Sequence, residues 1–260
     1  MADAAVPVKG TRPEGAETEA DASRKVREMF TQIAPRYDLL NHLLSLQLDR
    51  LWRARVARRL RPILDRPDAL VLDLCCGTGD LALALARAGK ARVIGADFAH
   101  TMLVRAKEKS VAVRSAPLQQ TLATMSFFEA DALRLPFADH SFDLVTTAFG
   151  FRNLANYESG LREIQRVLKP GATLAILEFT EPPKGVLGDV YRWYFRSVLP
   201  RIGGFISGDS AAYTYLPKSV SRFFQPPELA SLMTAVGYQK VDFHVWTLGT
   251  VALHVGVCPR

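Results

Sequence analysis

The sequence predicts an α/β fold: a mostly parallel seven-stranded sheet, helices on both faces, and an antiparallel hairpin at one edge. Three observations carry this. Short apolar runs alternate with helix-length segments from Ala69 onward, the pattern of right-handed crossover connections. A glycine-bearing turn, Gly77–Gly79, follows the first of those runs. The last two runs, Lys240–Trp246 and Thr250–Val257, lie close together in sequence, as hairpin strands do.

Residues 1–22 are rich in Ala, Glu, Pro and Gly with almost no large apolar side chain, and predict a disordered tail before a single domain over 23–260. An N-terminal helical region spans 23–61. Within it Leu48, Trp52, Val56 and Leu60 share a face, Arg50, Arg53, Arg58 and Arg61 are assigned to the far side, and Arg55 and Arg59 fall on the apolar side. Pro62 and Pro67 end that helix. Strands follow at Ala69–Leu74, Arg92–Ala96, Met125–Glu129, Phe142–Thr147 and Thr173–Phe179. Helices are expected over Leu81–Arg87, from Asp97 to Ser110, over Tyr157–Leu168, and over Pro227–Val236, where Gly237 closes the last. Val111–Thr124 reads as a loop and Lys169-Pro170-Gly171 as a turn into the fifth strand. The regular beat breaks over an aromatic-rich stretch, residues 181–225, which predicts an insertion on the substrate side.

At 260 residues, 48% apolar and 23% charged, the composition is globular and excludes a disordered chain, a fibre and a coiled coil. Three cysteines, two of them adjacent, make neither a disulfide framework nor a zinc spacing, so a reducing compartment and no metal are expected. The longest apolar runs fall short of the roughly 20 residues a membrane span needs, and no signal peptide is visible, which predicts a soluble cytoplasmic chain. The net charge of +7 is localised: residues 23–61 hold ten basic and three acidic side chains. Such a segment suits nucleic acid, anionic lipid or plain solvation.

The sharpest local signal is Val71-Leu72-Asp73-Leu74-Cys75-Cys76-Gly77-Thr78-Gly79-Asp80. Glycines after a first strand allow a tight turn and close approach of a ligand to backbone. Asp97, 20 residues after Gly77 at the end of the second strand, can accept from both hydroxyls of a ribose. An adenosine cofactor is therefore expected. Asp73 and Asp80 frame the turn with no basic residue nearby in sequence, which opposes a pyrophosphate and suits the cationic S-adenosylmethionine. Asp80 can equally be a first-turn helix acid.

Asp73–Gly79 resembles motif I of class I methyltransferases, whose fold is Rossmann-like. Further stretches resemble the family that methylates the quinone ring in menaquinone and ubiquinone synthesis. They are Tyr37-Asp38-Leu39-Leu40-Asn41 with Ser45 and Trp52, Phe149-Gly150-Phe151-Arg152-Asn153, and Arg166-Val167-Leu168-Lys169-Pro170-Gly171 with Glu178. Ser207-Gly208-Asp209, Tyr213-Thr214-Tyr215-Leu216-Pro217 and Val251-Ala252-Leu253-His254 extend the match, which runs from Val26 to Gly256. Leu40, Asp49, Ala148, Ala172 and Thr180 depart from the usual residues; the Ala148 change removes one side-chain hydrogen bond to the cofactor.

The resemblance implies S-adenosylmethionine-dependent C-methylation of a polyprenylated quinol, demethylmenaquinol first and the benzoquinol of ubiquinone synthesis second. It places Asp73, Gly77, Thr78 and Gly79 at the cofactor, Thr78 at its methionine end, Asp97 on the ribose, Asp131 and Ala132 at the adenine, and Ala148 beside them. Asp131 can alternatively cap its own turn. Tyr37, Arg152 and Asn153 are the candidates around the reaction centre, with Arg152 stabilising a phenolate. Arg152 as a structural ion-pair partner and Tyr37 as packing stay open. Asp209, Tyr213 and Tyr215 are candidates for the head group, whereas His244 and His254 fall in strands and suggest structural roles. The polyprenyl tail implies weak peripheral contact with the anionic inner face of the membrane, through Arg50, Arg53, Arg58 and Arg61. No nucleic-acid partner is expected. An RNA methyltransferase, a non-catalytic cofactor-binding module and a dehydrogenase are the rivals, and a homo-oligomer stays open.

Overall fold

A computed structural model describes residues 10–38, 45, 47–114, 125–182, 210–260 and single positions 185, 188, 189, 193 and 197. Asp209, the Leu39–Asn41 part of the N-terminal signature, most of the expected insertion, and the Tyr213 side chain lie outside the described residues. The strands are β1 (Leu70–Leu74), β2 (Arg92–Asp97), β3 (Ser126–Glu129), β4 (Phe142–Ala148), β5 (Leu168–Phe179), β6 (Gln239–Trp246) and β7 (Val251–Val257). They form one sheet in the order β3-β2-β1-β4-β5-β7-β6. Every pair up to β4–β5 is parallel, and β7 alone runs against its neighbours, so the expected edge hairpin is present with β6 outermost.

The helices are α1 (Glu19–Ile33), α2 (Leu48–Arg59), α3 (Arg61–Leu64), α4 (Asp80–Ala88), α5 (His100–Arg114), α6 (Tyr157–Val167), α7 (Ser210–Arg222) and α8 (Pro226–Val236). One core layer joins Leu161 and Ile164 of α6 and Leu229 and Met233 of α8 to the sheet. The other joins Trp52 and Val56 of α2 and Leu81 and Leu85 of α4 to the opposite face. Each such fully buried Leu or Ile contributes about 1.5–3 kcal/mol. Asn156 and Thr18 cap their helices by accepting from Ser159 N–H and Asp21 N–H.

Four expectations are corrected. The tail does not extend to residue 22: Thr11 is buried, its N–H donates to Leu154 O at 2.8 Å, Arg12 donates to Ala155 O at 2.8 Å, and α1 begins at Glu19. Low apolar content misled here, because hydrogen bonds from the Thr11 main chain and the Arg12 side chain, rather than large apolar side chains, fix this strap. Arg53 is buried, not on the solvent face; it lies only about 80° from the centre of the apolar stripe, and its charge is balanced by acids. The helix after β2 runs to Arg114. Lys169-Pro170-Gly171 is absorbed into β5 as a register shift against β4, with Gly171 at φ 78° and its N–H on Cys258 O.

Candidate active site

Parallel strands leave their carboxyl ends on one side of the sheet, where β1, β2 and β4 open a cleft. Three residues of the first turn have positive φ: Cys75 at 53°, Gly77 at 55° and Gly79 at 83°. At Gly79 a Cβ would stand 3.0 Å from the Ala106 methyl, so both conformation and space call for glycine. Gly77 N–H donates to Asp97 Oδ2 at 2.8 Å and Ala99 N–H to Oδ1 at 2.9 Å, which fixes the carboxylate across the sheet. The cleft encloses about 640 Å³ between atoms, its mouth included. Among the expected residues Gly77, Asp97, Asp131, Ala132, Tyr37, Ala148 and Asn153 line it. Phe30 and Ser23 of α1 roof it, contributions that no sequence signal announced.

Burial pushes the Asp97 carboxyl up to about 6, against the N–H groups of Ala99, Gly77 and Phe98. Asp131 both lines the cleft and accepts from Leu133 N–H at 2.9 Å, so its turn-capping role is real and leaves its second oxygen available. Asp73 lies beneath the floor rather than on the wall. Burial raises it to about 7, opposed by the Thr146 hydroxyl, the Ala82 N–H and Arg53; Thr146 donates to Oδ1 at 2.8 Å. Cys75 also lines the cleft, and burial drives its thiol pKa well up, so it is a neutral wall and not a nucleophile.

Thr78 and Gly79 are not on the cleft wall. The Thr78 hydroxyl donates to Asp38 and accepts from Lys109 Nζ at 2.8 Å. Lys109 also pairs with Asp38 at 2.6 Å and Asp80 at 2.7 Å, and Arg53 bridges Asp80 at 3.2 Å and Asp49 at 2.6 Å. This corrects the acidic frame inferred for the turn. Asp80, at the start of α4, is neutralised by cations from α2 and α5 that no local reading could supply.

Arg152 is corrected as well. Its guanidinium is buried against Glu178, with Nη1 2.8 Å from Oε1; it also donates to Phe149 O, and its Cζ stands 5.5 Å from the Phe179 ring centroid. Glu178 accepts the Arg152 N–H too, at 3.1 Å; burial raises its pKa and Arg152 pulls it back. The guanidinium is committed to this pair and is not on the cleft wall, which is the ion-pair alternative. Asn153 is on the wall: Tyr215 OH donates to its Oδ1 at 3.0 Å, and Thr11 Oγ1 lies 2.9 Å from that phenol oxygen. Burial raises the Tyr215 pKa, so the phenol keeps its proton as a donor. His254 is buried, and its Nε2 donates to Pro226 O at 2.9 Å, a structural role.

The cleft residues fit S-adenosylmethionine. Asp97 and Asp131 offer acceptors to hydroxyls and an amine, and Gly77, at φ 55°, brings bare main chain to the cleft in a conformation glycine favours. Fold and site together define a class I S-adenosylmethionine-dependent methyltransferase. A crystal structure of a methyltransferase of that kind from Thermotoga maritima superposes with a TM-score of 0.62, at 18% identity, covering 89% of this chain and 99% of that one. The profile of the ubiE/COQ5 methyltransferase family matches residues 18–258, and the chain belongs to that family. It is 51% identical over 232 residues to the demethylmenaquinone methyltransferase of Thermus thermophilus, covering 89% of this chain and all of that protein. It is 38% identical to the ubiquinone/menaquinone biosynthesis C-methyltransferase of Geotalea daltonii, covering 91% of this chain and 97% of that one.

Proposed function

We propose that this enzyme methylates a ring carbon of demethylmenaquinol, the polyprenylated naphthoquinol, as the last step toward menaquinol. The observation that carries the reading is the 51% identity along the whole length of the Thermus thermophilus protein. The Geotalea daltonii relative, named for both pathways, favours the corresponding benzoquinol as a second substrate.

Bound S-adenosylmethionine supplies an electrophilic methyl group on a sulfonium. Asp97 would receive the ribose hydroxyls, Asp131 and Ala132 would flank the adenine, and the main chain at Cys75–Gly77 with Ala148 would hold the methionine end. Tyr37, Phe149 and Asn153 line the cleft at the carboxyl ends of β1 and β4, where they would hold the acceptor ring. Phe149 is held at φ 59° by two contacts. Its N–H donates to Leu177 O at 2.8 Å, and its carbonyl accepts from Arg152. Arg152 and Glu178 thus position this wall and do not touch the phenolate. Asn153, oriented by the protonated Tyr215, presents its amide to a ring oxygen.

The prenyl tail brings the enzyme to the cytoplasmic face of the membrane as a peripheral protein; among the described residues no helix is long and apolar enough to cross one. The test is transfer of radiolabelled methyl from S-adenosylmethionine, with each reduced quinol offered separately and total RNA as control. Label in the naphthoquinol is expected. Label confined to RNA, or to the benzoquinol, overturns the reading.

A further inference from the structure

The turn between β6 and β7 places three consecutive residues in the left-handed region: Thr247 at φ 51°, Leu248 at 55° and Gly249 at 90°. Glycine suits that region, whereas leucine is strained in it. Yet Leu248 is 71% exposed, so burial in the fold does not offset the strain. Leu51 of α2 and Val245 of β6 are also exposed, at 43% and 46%. The two elements are tied together: Trp52 Nε1 donates to Thr247 Oγ1 at 2.8 Å, and Arg55 lies over the Trp246 ring at 5.8 Å.

The strand register decides which way this knuckle faces. Trp246 pairs with Val251, which pairs with Phe179, the last residue of β5. The turn therefore projects from the same end of the sheet as the cleft. Phe149 on the cleft wall is 4.4 Å from Phe179 between ring centroids, and both rings contact Trp52, so the knuckle and the cleft share one packed wall. The solvent face of α2 is basic: Arg50, Arg55, Arg58 and Arg59 are exposed around Leu51. Arg53, the one inward arginine, is paired with Asp49 and Asp80 and takes no part.

We infer that the Leu51–Leu248 knuckle and its arginine rim are the surface that docks on an anionic phospholipid bilayer, turning the cleft end of the sheet toward the membrane. The chemistry is complementary on both counts: leucine enters the acyl boundary while guanidinium groups meet lipid phosphates. The inference deepens the quinol reading and rests on it for its purpose, since a tail held in the bilayer must reach the cleft from that side.

The full chain is sedimented with equimolar phosphatidylglycerol–phosphatidylcholine vesicles and with phosphatidylcholine alone. Wild type binds the anionic vesicles. Leu248→Asp lowers the partition about tenfold, and Arg50→Ser and Arg58→Ser each lower it about fivefold. Both effects leave methylation of a soluble, tail-less naphthoquinol unchanged. Leu248→Cys carrying an environment-sensitive fluorophore shifts to the blue on anionic vesicles. Wild-type partition by Leu248→Asp, or an unshifted label, overturns the docking surface. Failure of wild type to methylate the polyprenylated naphthoquinol in detergent overturns the quinol reading instead, so the two are separable.

Discussion

On the β1–β2 side of the cleft, the wall comes from one short stretch, Cys75–Gly77, and a carboxylate 20 residues after Gly77 that collects the N–H groups of Gly77 and Ala99. On the β4–β5 side, the wall hangs on Arg152 with Glu178, and on a hydrogen-bond line from Asn153 through Tyr215 to Thr11, the last pair 204 positions apart. Backbone amides and glycines make the first side a local construction. The second exists only once the strap, β5 and α7 have come together, and it contains a buried charge. Damage to the first should therefore appear as lost ligand affinity, and damage to the second as lost stability or turnover.

The largest expected effect breaks the second side. Glu178→Ala leaves the Arg152 guanidinium buried without its counter-ion, a change that costs about 3–5 kcal/mol. Urea unfolding should show that loss, while calorimetry on the folded protein finds S-adenosylmethionine affinity within about threefold of wild type. A stability change below about 1 kcal/mol would mean the pair is dispensable and the contrast between the two sides false.

Asp97→Asn inverts the outcome. The substitution removes the proposed charged acceptor for the ribose hydroxyls, and hydrogen bonds to charged groups contribute about 1.5–3 kcal/mol each. The dissociation constant for S-adenosylmethionine should rise by about 10- to 100-fold, measured by calorimetry. An unchanged affinity would remove Asp97 from the site.

Acidity sharpens the same point. Asp97 titrates near 6 and the buried Asp73 near 7, both above the ordinary 3.8 because burial disfavours the anion. Their folded-state values exceed the unfolded ones. In the free enzyme these two groups therefore favour folding at low pH, and that contribution is lost as pH rises through 6 to 7. His254, whose pKa burial lowers, works the other way below its ordinary 6.5. With Asp97 as the proposed acceptor for the ribose, binding needs it ionised, so affinity should rise about tenfold from pH 5 to pH 8. Most of that dependence should vanish in Asp97→Asn. A flat wild-type profile would show that Asp97 is ionised throughout.

What the sequence revealed divides along the same line. The strands themselves, the glycine turn and Asp97 were legible because their signals are short-range: apolar runs, a two-glycine spacing and one carboxylate at a strand end. The neutralisation of Asp80 was not, because Lys109 and Arg53 arrive from other helices. Arg152 and Glu178 both stood in recognisable motifs, yet sequence spacing cannot say whether a guanidinium faces a cleft or a buried acid. Thr11 was hidden differently: a strap held by main-chain and polar side-chain hydrogen bonds needs no apolar pattern, so composition read it as a tail.

The smallest effect tests how far that strap reaches into the chemistry. Tyr215→Phe removes the donor to Asn153 Oδ1 and the oxygen that meets Thr11, at a cost of about 1 kcal/mol. Asn153 then keeps only its long contact from Nδ2 to Phe149 O, 3.4 Å, and loses its fixed orientation at the cleft. Turnover of the quinol should fall severalfold with cofactor affinity unchanged. Thr11→Ala leaves the phenol's donation to Asn153 intact and should cost less. In the Thr11→Ala, Tyr215→Phe double variant the second change should add almost nothing, because both act through one hydroxyl line. Additive losses would mean that Thr11 acts on the cleft by closing the strap over Leu154 and Ala155, independently of the ring it touches.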